Sequence, residues 1–301
     1  MNRLTQLMYH GASLARLPAL YRVATGGAVV FTFHNVSNQA PADPPGAWQL
    51  HLPVAEFARY LDWIASEFRV VPLDELAALA AANRSVRGLA ALTFDDAYVG
   101  VLRNAIPLMR GRGLPFAVFV VAEASTRPQP FWWDVLAVAG AAAGEARDAA
   151  LTRLQGDYRR ILPEAGPAAW QAPPELLPAD WSALRALAGA DLLFGAHTVH
   201  HRHLMTLPDD ELRFELTASR DLMAEQLGAR PATLAYPYGI VDERVIGAAR
   251  GAGYDAAFTL HYGLVQPGQD PLALPRITVP AGIGRRKLDC WAGGLRWPGS
   301  R

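Results

Sequence analysis

The chain lacks much of what would tie it to several common classes. Its single cysteine, Cys290, excludes an internal disulfide and any cysteine-based metal cluster. It has no surplus of charge, since Lys+Arg and Asp+Glu are both 28. A nucleic-acid binder normally carries a basic surplus, so no nucleic acid is expected as a partner. No stretch approaches the ~18 apolar residues of a membrane span. Met1 to Arg22 lacks the compact apolar core of a signal peptide. Those two absences set a cytoplasmic location as the expectation, with the inner face of the membrane as its variant. There is also no internal repeat.

Apolar residues are plentiful. They make up 51% of the 301 residues against 19% charged, enough for a sizeable core in one large domain or two small ones. Short apolar runs alternate with longer helical patterns. Candidate strands are 28–33, 69–71, 89–94, 116–121, 192–196, 233–236, 256–259 and 276–279. Helical patterns fall at 53–67, 74–82, 100–112, 208–227 and 242–252, the last followed by Gly253 as a helix stop. This alternation predicts an α/β fold with a parallel sheet, and seven or eight such units predict a closed barrel.

Two stretches break the rhythm. Residues 35–49 are rich in Pro, Ala and Asp and read as a long loop. Residues 125–190 show no strand and read as a helical insertion in a barrel spanning 26–282. Its aromatic entry, Phe131-Trp132-Trp133-Asp134, suits either a sugar face or the packing of a helix. A helical segment at 1–25 and a tail at 283–301 flank the barrel. In the first of these, Leu4, Leu7, Met8, Leu14, Leu17 and Leu20 occur with Arg3, Arg16 and Arg22. That pattern fits an amphipathic helix in peripheral contact with a membrane, or one packed on its own domain.

The residues that carry chemistry follow the predicted strands. Leu89–Phe94 ends on Asp95 and Asp96. Adjacent acids repel, and burying either without a partner is very costly, so the pair calls for a metal, an Arg or a catalytic task. The alternative is a helix cap. His34 follows the first strand, His197 follows 192–196, and Pro237-Tyr238-Gly239 follows 233–236. In a parallel barrel these points share the carboxyl-end face, where barrel active sites form. His197 and His201 are four residues apart and would share one face of a helical turn. Two imidazoles and one carboxylate leave positions open for water and substrate, as a catalytic zinc site requires. His200 and His203 compete for the same role.

Thr93-Phe94-Asp95-Asp96, His197-Thr198-Val199-His200-His201 and Tyr236-Pro237-Tyr238-Gly239 resemble, in order and spacing, the successive motifs of the polysaccharide deacetylases, carbohydrate esterase family 4. Phe31-Thr32-Phe33-His34-Asn35-Val36 is similar to the Y-H-x-V start of the exopolysaccharide branch. The resemblance implies a distorted (β/α) barrel of seven or eight units, of the NodB-like kind. It implies a hydrolase that removes N-acetyl groups from an amino sugar of a glycan or glycan precursor. Asp96, His197 and His201 would hold zinc or another divalent metal. Asp95 would be the general base and His34 the general acid. The Tyr238 backbone N–H would help bind the oxyanion, and Thr198 would brace the histidine motif. The family's Arg near the P-Y-G motif is missing. Arg276 is the candidate substitute, with a solvated strand-edge charge as its alternative reading, and Arg230 lies just upstream of the motif before a Pro. That gap leaves room for a deformylase or amidase on a small molecule, and a carbohydrate-binding barrel without catalysis is the reading from another class.

Overall fold

The computed structural model describes residues 3–40, 49–139, 145–163 and 170–297. Its strands are β1 (Val29–Phe33), β2 (Asn35–Val36), β3 (His51–Leu52), β4 (Arg69–Val70), β5 (Leu89–Phe94), β6 (Phe116–Val120), β7 (Leu192–Ala196), β8 (Thr233–Ala235), β9 (Ala256–Phe258) and β10 (Ile277–Thr278). Eight of them form one parallel sheet in the order β10-β1-β5-β6-β7-β8-β9, with β4 paired to the first residues of β5. The sheet curls on itself. Leu274 bridges Phe258 in parallel, and three residues later Ile277 pairs with Phe31, so segment 274–278 joins β9 to β1. This is the predicted parallel (β/α) barrel.

Strands β1, β5 and β6 are buried at every position. Strands covered on both faces read as continuous apolar runs, which is why they were legible in the sequence. Alternate residues divide between two cores. Val30, Ala91, Ala117, Phe119, Ala235 and Phe258 share the smaller cluster with the helix Leu73–Ala81. Phe31, Phe33, Leu92, Phe94 and Val118 pack outward against the helix Val54–Glu67 and its neighbours.

Two local readings change. Residues 35 and 36 are strand rather than loop, because Asn35–Val36 pairs in parallel with His51–Leu52. Of the rest of that predicted loop, 37–40 and 49 carry no helix or strand, and 41–48 lie outside the described residues. The 100–112 pattern begins as a π-helix, Val101–Ala105, before the α-helix Ile106–Arg110. Pro107 has no N–H for a regular α bond, and the Ile106 N–H instead reaches Val101 O, five residues back. Between β6 and β7 the described residues form short helices only, including Trp132–Val138, Glu145–Leu151 and Trp181–Arg185. Arg3–Leu14 and Leu17–Thr25 are helices that pack on the late helix Arg285–Ala292. No helix among the described residues is long and apolar enough to cross a membrane.

Candidate active site

The carboxyl ends of β1, β5, β7 and β8 open on one cavity of about 200 Å³. His34, Asp95, Asp96, His197, His201 and Tyr238 all line it. Arg276 is fully buried and reaches Asp95 from within the barrel.

The backbone bends sharply at several positions in and beside the cavity lining. Asp96 (φ 69°), Ala97 (φ 52°), Thr198 (φ 65°), His201 (φ 56°) and Tyr238 (φ 60°) all lie in the left-handed region. Non-glycine residues rarely adopt it, and such strain collects at functional sites. Gly239, with φ 66°, has no alternative residue, because a Cβ there would overlap the backbone N of Leu260. The Asp pair is no helix cap, since the next helix begins at Val101 without a side-chain cap.

The two acids have different surroundings. Arg276 Nη1 and Nη2 each donate to one oxygen of Asp95, at 2.8 Å. The same guanidinium donates through Nε to Thr259 O (3.2 Å) and lies over the Phe119 ring. Burial alone would raise the Asp95 carboxyl, but the Arg276 charge overrides it and holds the group at about 2. So Arg276 is no solvated strand-edge charge, and Arg230 is an exposed partner of Asp221. Asp96 has no such partner. Burial first, then the nearby Asp95 and Asp134, raise its carboxyl well above the usual range. Its Oδ1 is buried without a hydrogen bond.

That oxygen faces two imidazoles, with His197 Nε2 at 3.7 Å and His201 Nε2 at 3.5 Å. The ligand atoms of Asp96, His197 and His201 lie within 4.8 Å of one another, and all three residues are buried. His197 Nδ1 donates to Ala235 O at 2.7 Å, which leaves Nε2 unprotonated and aimed at the cluster. A backbone carbonyl fixing the tautomer this way is the usual support of a metal-ligating histidine. Burial lowers the proton affinity of both imidazoles, of His201 well below the ordinary value. An unsatisfied carboxylate oxygen and two neutral imidazoles suit a divalent cation.

The geometry also separates the histidines. The 197–201 segment is no helical turn. Thr198 and His201 take left-handed conformations, and the His201 N–H donates to Thr198 Oγ1 at 3.1 Å. This bend turns His200 away, where its Nδ1 donates to Glu215 Oε1 at 2.7 Å. His203 does not line the cavity, and His261 is exposed in a loop.

Sequence reasoning missed Glu215. Its carboxylate also accepts the N–H groups of Val199 (3.0 Å) and His200 (2.9 Å), so one side chain from the helix Asp209–Leu227 holds the histidine loop. The signal was an acid within the buried stripe Leu212, Leu216, Ser219 and Met223. Glu215→Ala leaves two buried N–H groups unpaired, at about 1–3 kcal/mol each. A thermal melt should show that loss, and titration should show roughly tenfold weaker metal retention. Wild-type values for both would contradict this role.

His51 was missed as well. Its Nε2 donates to Asp134 Oδ1 at 2.9 Å, while Tyr98 Oη donates to Asp134 Oδ2 at 2.8 Å. The Trp133 Nε1–H then donates to Tyr98 Oη at 2.7 Å. This buried chain fixes Trp133, whose ring sits 4.8 Å from that of His201 and lines the cavity. The aromatic entry of the insertion therefore both anchors its helix and forms a wall of the site.

The same groups set a pH dependence of stability. His34 is lowered to about 4 by burial, and His197 and His201 are lowered too. An imidazole lowered on folding contributes stability above its unfolded value, about 6.5, and loses it as pH falls toward the folded value. Asp96, raised on folding, acts in the opposite sense. With Asp96→Asn removing the opposing carboxyl, the Tm of the metal-free variant should fall as pH drops from 6.5 to 4.5. A flat or rising Tm in calorimetry would refute this.

The architecture and the converging polar groups define a NodB-like deacetylase barrel. The chain belongs to the polysaccharide deacetylase family, whose sequence profile matches residues 83–257. A relative, YxkH of Bacillus subtilis (strain 168), also carries the polysaccharide deacetylase name. It is 20% identical over 236 residues, covering 78% of this chain and 67% of its own. IcaB from Ammonifex degensii superposes with a TM-score of 0.64 at 22% identity, covering 89% of this chain and 97% of that one. The Streptococcus pyogenes deacetylase PplD, solved with acetate, gives 0.62 at 17% identity, covering 87% and 96%. A de-N-acetylase from Aggregatibacter actinomycetemcomitans gives 0.61 at 14% identity, covering 88% and 99%. These structural likenesses show the fold.

Proposed function

We propose that this chain is a metal-dependent N-deacetylase acting on an N-acetylated amino sugar of a polysaccharide or its precursor. The buried Asp96–His197–His201 cluster beside the Arg276-held Asp95 carries the reading. The acetate solved with PplD and the de-N-acetylase activity in the name of the Aggregatibacter protein support it.

Asp96, His197 and His201 would hold the metal. When bound, a divalent cation lowers the pKa of a water molecule toward about 7 and polarises the scissile carbonyl. Asp95 is ionised, buried and fixed in orientation by two hydrogen bonds, so it is placed to accept the proton of the attacking water. The Tyr238 backbone N–H, at the turn after β8, is assigned to the charge developing on the carbonyl oxygen. His34 takes up a proton as the attacking water is deprotonated and passes it to the departing nitrogen, which otherwise leaves poorly. Burial keeps His34 neutral at rest, and negative charge beside it is what opposes that. Its protonation is therefore favoured at the stage when the carbonyl carbon is tetrahedral and negative charge has built up.

The cavity, about 200 Å³, is smaller than the roughly 300–1,000 Å³ of sites that enclose a whole drug-sized ligand. It suits one acetylated unit of a longer chain. Apolar Leu50, Trp133, Leu151, Ile240 and Leu260 on its walls suit a sugar face and an acetyl methyl. The test is acetate release from N-acetylated and O-acetylated glycans, set against formylated and cyclic amides. Turnover confined to N-acetylated glycans supports the proposal, whereas turnover confined to small formylated or cyclic amides would replace it.

A further inference from the structure

The two helices at the start of the chain play no part in the site, yet they gather much of the exposed apolar surface. Leu7 (68% exposed), Leu14 (67%), Leu17 (48%), Leu20 (62%), Tyr21 (46%) and Val23 (53%) all lie on them. Elsewhere among the described residues large exposed apolar side chains occur singly, as at Phe214 and Ile240. A concentration of exposed apolar side chains on two neighbouring helices calls for an explanation that scattered residues do not.

These helices are anchored on their other face. Tyr9 and Ala12 are buried, and Tyr9 Oη accepts from Trp291 Nε1 at 3.0 Å. Arg22 is buried between Glu67 (2.8 Å) and Asp289 (3.0 Å). The outer face is thus presented by a fixed element.

Its charge has one sign. No Asp or Glu precedes Asp43 in the sequence. The nearby acids Glu67 and Asp289 are paired with Arg22. Arg16 is exposed at the bend between the helices, and exposed Arg286, on the anchoring helix, bonds exposed His10 of the first helix. Apolar side chains flanked by cations and free of acids match an amphipathic surface that lies in the headgroup region of a bilayer. A second protein copy would bring the same cations against themselves. Acidic lipid headgroups complement them.

We propose that helices Arg3–Leu14 and Leu17–Thr25 form a docking surface for an anionic lipid bilayer. Thr25 leads directly into β1, whose far end carries His34, so the surface lies away from the cavity mouth. Docking then holds the barrel at a membrane without covering its site.

Co-sedimentation with vesicles tests this. Wild-type protein should pellet with phosphatidylcholine–phosphatidylglycerol vesicles and much less with phosphatidylcholine alone. The exposed double variant Leu7→Glu/Leu20→Glu should keep its near-UV dichroism and lose at least tenfold in partitioning. Arg16→Gln should lose about fivefold on anionic vesicles only. Absence of wild-type binding, equal binding by the double variant, or an unchanged Arg16→Gln affinity would overturn the proposal. So would a wild-type dimer in sedimentation velocity that the double variant converts to monomer, since a second copy would then cover the face.

Discussion

Asp95→Asn should reduce acetate release by about 10³-fold or more while the protein still binds its metal. General acid–base groups typically contribute 10²–10⁴-fold, and here the carboxylate is the ionised group beside the proposed metal cluster. It sits 4.0 Å from His197 Nε2 but gives both its oxygens to Arg276. The substitution keeps the shape and one acceptor oxygen while removing the charge that takes the proton. Metal content should stay at the wild-type level, because Asp96, His197 and His201 are untouched. Full activity in this variant would remove Asp95 from its role as base. Lost activity together with lost metal would instead make it a ligand.

Arg276→Met should be as damaging by a different route. It strands the Asp95 carboxylate in a site where burial opposes charge. Removing one partner of a buried ion pair costs about 3–5 kcal/mol. Denaturant unfolding should show that loss. The Asp95 carboxyl should also rise from about 2 toward or above the ordinary range, because Arg276 is what holds it down. The acidic limb of the kcat/KM profile should therefore move to higher pH by more than one unit. Adding Asp95→Asn to Arg276→Met should recover much of the stability and none of the activity. An acidic limb left in place in Arg276→Met would contradict the coupling of Arg276 to the base.

Much of the barrel was legible because its central strands are apolar on both faces and end on polar residues. Leu89–Phe94 followed by Asp95 and Asp96 is the clearest case, and it placed two site residues at once. The histidine pair was found by spacing, but for the wrong geometric reason. The 197–201 segment turns through left-handed residues instead of a helix, a conformation that non-glycine residues do not advertise. Arg276 was recognised as a candidate by its place at the last strand. Its burial rests on neighbours far along the chain, the Phe119 ring and Asp95, a tertiary effect invisible in any local window. Glu215 bonds a loop 15 to 16 residues before it and His51 bonds Asp134, 83 residues on, both beyond the reach of a helical or strand repeat, so no local pattern named their partners. Asn35–Val36 was hidden because a strand of two residues, paired across a Pro-rich stretch, carries no periodicity.

The most direct test of the account is metal content measured alongside acetate release from an N-acetylated amino-sugar oligomer. Purified protein should hold about one divalent ion per chain, lose activity on chelation and regain it on adding zinc. The double variant His197→Ala/His201→Ala should do neither. Undiminished acetate release from fully chelated protein would contradict the account.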